Sequence, residues 1–229
     1  MAEVTEHAFS RQEKLLGSAA MEKLVAAHVA VFGLGGVGSF AAEAIARAGV
    51  GKITLVDHDT VSQSNLNRQL LALHSTLGQY KSALMRQRIL DINPFVQAEE
   101  KCVFFDASTR EQFDFSSFDF VLDCIDSVPS KVLLVQCALQ AGTKIISAMS
   151  TGNKLDPSRF TVTDISKTNY CPLARVMRTR LRKEGIEHLP VVYSPEEPLL
   201  REGVPASISF VPPAAGLLMA AYAVKEMIA

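Results

Sequence analysis

The chain alternates short apolar runs with segments whose apolar residues return every three or four positions. His28–Phe32 (HVAVF), Lys52–Asp57 (KITLVD), Phe118–Cys124 (FDFVLDC) and Lys144–Ala148 are runs of strand length, the pattern of strands buried on both faces. Val96–Phe105 alternates and also reads as a strand. Between the runs, Phe40–Ala48 is alanine-rich, Lys81–Ile92 is amphipathic and stops at Asn93-Pro94, and a further helix is expected over about 129–141. Strands that alternate with helices predict an α/β fold with a mostly parallel sheet and helices on both faces.

Ahead of the first strand, Ser10 to about His28 reads as a helical arm, with Ser10 as its cap and Glu13 completing a capping box. After Met149, prolines at 157, 172, 190, 195, 198, 205, 212 and 213 cut the chain into short pieces. Arg159–Asp164 and Val191–Ser194 read as strands and Pro172–Glu184 as a helix. Pro213–Val224 is the longest apolar stretch, well short of the ~20 residues a membrane span needs, so a buried C-terminal helix and no stable membrane insertion are expected. Pro195–Pro205 is the candidate mobile loop. The expected organisation is one domain over 1–229. An arm (1–27) leads into a nucleotide-binding core (28–150), and a substrate-side lobe (151–229) extends the same sheet.

Composition narrows the function little. Hydrophobic residues make up 48% of 229, enough for a packed core. The net charge of -1 neither demands nor excludes RNA, so any RNA contact must come from a local basic patch. Cys102, Cys124, Cys137 and Cys171 contain no C-x-x-C pair, which argues against a cysteine zinc site. The polar, acidic start is not a signal peptide, and a cytoplasmic location is expected. His58, His74 and His188 show no metal spacing and are read as non-catalytic.

The chemistry begins at Gly33, Gly35 and Gly38, a G-x-G-x-x-G turn that also contains Gly36 and joins a strand to a helix. Such a turn lets backbone approach phosphates at the positive end of a helix. Asp57 ends the next strand, where an acid can hold ribose hydroxyls. The motif does not choose between NAD and ATP. The next segment, DHDTVSQSNLNRQ, bears on that choice: a dehydrogenase has no evident need for Asp59 or for the Asn67-Arg68-Gln69 cluster. Arg68 and Lys81 can converge on a phosphate chain, and Asp126, just past a strand, is a reasonable Mg²⁺ ligand. Bland readings stand beside these: Asp59 as a turn cap, Lys81 as a solvated helix start, Asp126 as a helix cap.

GLGGVGS, DHDTVSQSNLNRQ, Lys81 and CIDS together resemble the ubiquitin-activating (E1-like) superfamily, which includes MoeB and ThiF. The resemblance implies a Rossmann-like adenylation domain. In it Gly33, Gly35, Gly36 and Gly38 shape the nucleotide pocket and Asp57 holds ribose. Asn67, Arg68 and Lys81, with Asp59 and Gln69 beside them, contact ATP, and Asp126 binds Mg²⁺. It also implies a homodimer, with Arg11 reaching into the partner's ATP site; the alternative for Arg11 is a plain surface residue. MoeB and ThiF activate the C-terminal glycine of a ubiquitin-like carrier and usually hold zinc in two C-x-x-C pairs, absent here.

The second half resembles the branch of tRNA threonylcarbamoyladenosine dehydratases through Asp156-Pro157, Asp164–Thr168, Pro172-Leu173-Ala174 and Leu181–Ile186. Cys171 stands where that branch commonly has an aspartate. The implied reaction adenylates the threonyl carboxylate of t6A in tRNA and closes it to cyclic t6A, with a monovalent cation and a cysteine desulfurase partner as further expectations. Arg175, Arg178 and Arg182 fall at i, i+3 and i+7 on one helix face beside Lys183, the densest basic patch. They read as phosphate contacts or as a solvated face. Three other functions compete: activation of a Gly-Gly carrier protein, NAD-dependent oxidation, and a non-enzymatic nucleotide- or tRNA-binding scaffold.

Overall fold

The computed structural model describes residues 7–200, 203 and 205–229. The arm is two helices, α1 (Ser10–Leu16) and α2 (Ser18–Ala26), broken at Gly17 by a backbone with φ +82°. Ser10 is not the cap expected of it. It is the first helical residue, its hydroxyl accepts the His7 N–H (2.7 Å), and the cap position falls to Phe9, whose side chain cannot accept. Glu13 reaches the His7 ring (3.1 Å), so no capping box forms.

Seven strands form one sheet: β1 (His28–Phe32), β2 (Lys52–Val56), β3 (Gln97–Lys101), β4 (Phe120–Asp123), β5 (Lys144–Ala148), β6 (Thr161–Asp164) and β7 (Pro190–Tyr193). Their order is β3-β2-β1-β4-β5-β7-β6, all parallel except β6, which runs antiparallel to β7. The second half thus extends the first half's sheet through the β5–β7 pairing. The remaining helices are α3 (Gly38–Arg47), α4 (Lys81–Ile92), α5 (Val128–Gln140), α6 (Pro172–Lys183) and α7 (Val211–Ile228).

Two cores explain the apolar runs. Val29 and Val31 of β1 face one core with α3, α4 and α7; Ala30 and Phe32 face the other with α5 and α6. A strand buried on both faces has no polar alternation to show. β3 shows the opposite limit. It is an edge strand of mixed exposure, and its Glu99, Glu100 and Lys101 suit an edge that must not pair further. Helix α7 lies close on α3: a Cβ on Gly216 would stand 2.3 Å from the Val37 carbonyl oxygen. The expected loop over 195–205 is described only in part, since residues 201, 202 and 204 lie outside the described residues.

Candidate active site

Strand order reverses between β1 and β4, and at such a switch point the connections part and leave a crevice beyond the strand ends. A cavity of about 1220 Å³ lies along this edge, above the ~300–1,000 Å³ usual for one small ligand. The glycine turn follows β1. Gly33 has φ +88°, and a Cβ there would meet the Cys124 carbonyl oxygen at 2.7 Å; one on Gly38 would meet the Gly33 oxygen at 1.7 Å. These two glycines are steric necessities. Gly35 is different, because the nearest atom to its Cβ would be the Gln69 amide nitrogen at 3.7 Å. The space over it is room for a ligand at the start of α3.

Asp57, at the end of β2, is buried and accepts the Leu34 N–H (2.6 Å) and the Asp59 N–H (2.8 Å). It ties the glycine turn to the next loop, and each oxygen keeps a lone pair for another donor. Lys81 begins α4 and is buried to 4% exposure, yet it lines the cavity. A bridge between Thr60 and Tyr80 brings it beside Asp59, and its ammonium pairs with the Asp59 carboxylate at 2.7 Å. It is therefore no solvated helix-start residue. Arg68 lines the cavity with its guanidinium steadied by the Ser64 carbonyl (2.8 Å) and the Asn67 amide oxygen (2.9 Å). Asn67 itself is exposed, is not among the lining residues and donates to the Ser207 carbonyl (3.0 Å). It positions Arg68, and the buried Asn65 takes the place at the wall. Gln69 lines the cavity with a buried amide oxygen that has no partner among the described residues.

Asp126 follows β4 and lines the cavity, exposed and without an ion-pair partner among the described residues. The helix after it, α5, has no side-chain cap, so Asp126 does not serve as one. Beneath it lies a pair that sequence reading missed. Asp123 and Lys131 are both fully buried with carboxylate and ammonium 2.9 Å apart, an electrostatic contact rather than an aligned hydrogen bond. The Asp123 carboxylate also accepts from the Ser147 hydroxyl (2.5 Å) and the Ile125 N–H (3.2 Å). The loop carrying Asp126 is thus fastened to β5 and α5. The signal was present: Lys131 falls on the buried stripe of α5 with Leu134, Val135 and Ala138. Cys124 lies against the Met219 sulfur (3.7 Å), and desolvation pushes its thiol up, so it stays protonated and weakly nucleophilic.

The far half of the cavity belongs to the C-terminal lobe. Asn153, with φ +58°, makes four hydrogen bonds to one segment: N–H to the Ala206 carbonyl (2.8 Å), carbonyl from the Leu199 N–H (2.8 Å), amide nitrogen to the Leu200 carbonyl (2.9 Å), and amide oxygen from the Ala206 N–H (2.7 Å). The next residue, Lys154, is buried and donates to the Ser194 and Glu196 carbonyls; burial lowers its ammonium pKa.

The ThiF family model matches residues 9–228. The chain belongs to the ThiF family. It is 44% identical over 241 residues to the tRNA threonylcarbamoyladenosine dehydratase of Bacillus subtilis, covering 97% of this chain and 95% of that protein. A solved structure of the E. coli tRNA N6-threonylcarbamoyladenosine dehydratase, in complex with ATP, superposes with a TM-score of 0.91 at 33% identity, over 96% of this chain and 93% of that one. The adenylyltransferase and sulfurtransferase UBA4 of Vanderwaltozyma polyspora is 38% identical over 142 residues, 62% of this chain and 32% of that protein.

Besides Asn67, two groups of expected site residues in this ThiF-family chain stand outside the cavity. Arg11 is exposed on α1 and does not line it. On α6, Arg175, Arg182 and Lys183 are exposed, but Arg178 is half-buried and donates to the Thr168 carbonyl (2.8 Å) and the Thr168 hydroxyl. Arg178 braces the fold where a free phosphate contact was expected. Cys171 is buried at the start of that helix. No helix is long and apolar enough to cross a membrane among the described residues.

Proposed function

We propose that the protein is an ATP-dependent tRNA t6A dehydratase, which adenylates the threonyl carboxylate of t6A and promotes its closure to cyclic t6A with release of AMP and pyrophosphate. One observation carries the reading. Arg68, Lys81 and Asp126 border a single cavity beyond the glycine turn, in a chain whose likeness to the dehydratases runs its whole length. The adenylyltransferases and sulfurtransferases UBA4 match over 62–69% of this chain against 97% for the Bacillus subtilis dehydratase, and NAD chemistry leaves those three side chains without work.

A carboxylate is a poor electrophile because it has no good leaving group. Its attack on the α-phosphorus of ATP, with loss of pyrophosphate, gives a mixed anhydride whose leaving group is AMP. An atom of the neighbouring carbamoyl group then attacks the activated carbonyl, AMP departs and the ring closes. Both reacting groups belong to one nucleoside, which supplies the proximity. Asp57 accepts from the ribose hydroxyls, and Arg68 and Lys81 offset charge on the phosphates. Asp126 fits a magnesium ion: it is an exposed acid on the cavity wall and no cation neutralises it among the described residues. Magnesium, when bound, neutralises charge on the transferring phosphoryl group. The Asp57, His58 and Asp59 ligand atoms lie within 4.8 Å of one another, but they suit a metal poorly, because Asp57 holds two amides and Asp59 holds Lys81.

The exposed position of Arg11, away from its own cavity, supports a homodimer in which it completes the partner's site. A cytoplasmic location, a monovalent cation and a cysteine desulfurase partner follow from the family resemblance. The division into arm, core and lobe within one domain is supported by the continuous sheet.

The test is mass spectrometry of nucleosides from t6A-containing tRNA incubated with the protein, ATP and Mg²⁺, beside an Asp126→Ala control. The expected result is ATP-dependent loss of one water from t6A, absent in the control. Unchanged t6A, with ATP–pyrophosphate exchange appearing only when a carrier protein ending in Gly-Gly is added, would overturn the reading.

A further inference from the structure

Tyr170 sits where the backbone favours another residue. Its φ is +51°, and the Cys171 N–H bonds the Asn169 carbonyl (2.6 Å) to close a three-residue turn around it. Such turns are rare and strained, and a bulky L-residue at positive φ is an outlier that glycine would relieve. The turn is braced on both sides. Arg178 ties down Thr168 just before it, and α6 starts at Pro172 just after it.

The ring itself contributes nothing visible to the fold. It is 63% exposed, and no hydrogen bond or ring contact engages its side chain among the described residues. Yet it lines the cavity. Across the sheet order, Asp57 and Phe104 border the cavity beyond β2 and β3, whereas Tyr170 borders it with Asn153 in the C-terminal lobe. Arg175 and Arg182 are exposed on the helix that begins two residues later. Strained backbone that surrounding structure holds in place is a feature of functional sites. An exposed aromatic beside cationic side chains is the means by which proteins hold single-stranded RNA, stacking an unstacked base on the ring.

We propose that Tyr170 is a stacking platform for a base of the RNA substrate, seating it at the lobe end of the cavity while Arg175 and Arg182 hold neighbouring phosphates. The proposal rests on the dehydratase reading. A purine could also come from ATP, but the ribose acceptor Asp57 stands in the other half of the cavity, which assigns the ring to RNA.

The chain contains no tryptophan, so Tyr170→Trp introduces a single indole at this position. Its fluorescence is followed on titration with an anticodon stem-loop RNA and, separately, with ATP and Mg²⁺. Quenching by RNA and not by ATP is expected. Tyr170→Ala should weaken RNA binding about 5- to 100-fold, the range of one lost base–aromatic stack, with ATP affinity unchanged and Tyr170→Phe close to the parent. Tyr170→Gly separates function from folding: it should melt at or above the parent temperature and still bind RNA as weakly as Tyr170→Ala. Quenching by ATP alone, or RNA affinity unchanged in Tyr170→Ala and Tyr170→Gly, would overturn the proposal. The two readings fail separately. Conversion of t6A by the parent protein without any effect at Tyr170 removes only the platform. RNA quenching with unconverted t6A keeps the platform and removes the dehydratase.

Discussion

Removing the Lys131 ammonium tests the buried pair directly. Lys131→Met keeps most of the side chain's length and apolar stem and deletes the charge. Asp123 is then a fully buried carboxylate whose cation is gone, left with the Ser147 hydroxyl and the Ile125 N–H. Breaking a buried pair by removing one partner costs about 3–5 kcal/mol, mostly for the stranded charge. A whole domain has only about 5–15 kcal/mol to lose, and each 1 kcal/mol moves Tm by ~2–4 °C at this size. The expected loss is therefore roughly 6–20 °C. Replacing both partners (Lys131→Met with Asp123→Asn) strands no charge and should cost well under the sum of the single changes. Urea and thermal unfolding of the four proteins, followed by circular dichroism, gives the cycle. A loss below about 1 kcal/mol for Lys131→Met, or strict additivity in the double variant, would refute the account; both would mean that the pair is hydrated or uncoupled.

Arg68→Ala should lower the rate of pyrophosphate exchange about 100- to 1,000-fold, the usual loss for one preorganised group that stabilises developing charge, with unfolding unchanged; a fall below threefold would remove Arg68 from the site. Gly38→Ala should abolish nucleotide binding and lower Tm, because the added methyl would lie 1.7 Å from the Gly33 oxygen; calorimetric ATP titration and a melt check both. Burial, with Lys52 nearby, holds the His28 imidazole below its ordinary value of 6.5. The unfolded chain then takes up this proton first, so stability is complete above pH 6.5, falls as the pH drops through that value, and levels once the folded ring titrates. His28→Gln should flatten that part of a Tm-against-pH profile, and an unchanged profile would clear His28 of the effect.

The sheet was legible because its physics is local. HVAVF is apolar throughout since β1 faces two cores, and the glycine turn announces itself because Gly33 and Gly38 admit no side chain. Asp57, Arg68, Lys81 and Asp126 were legible as a set, and all four border the cavity. What escaped depends on contacts between distant segments. Nothing in the spacing of Asn67 separates facing a ligand from gripping Arg68 and Ser207. Helical periodicity put Arg178 with Arg175 and Arg182, but the Thr168 backbone claims it. The arm was legible as helical, but its break was not, because it lies in the Gly17 backbone at φ +82°.

Asn153 carries a consequence for how such a chain can change its substrate. One side chain and its own peptide groups hold Leu199, Leu200 and Ala206, so the two ends of that segment are fixed to each other. Whatever joins them can vary in length at small expense in stability, since doubling a loop adds only about 0.6 kcal/mol of closure entropy. The activating half of the cavity is cut into strand ends that tolerate almost no insertion. In the opposite wall the stretch between Leu200 and Ala206 can be exchanged like a cassette, reshaping the far end of the cavity while Arg68, Lys81 and Asp126 stay in place.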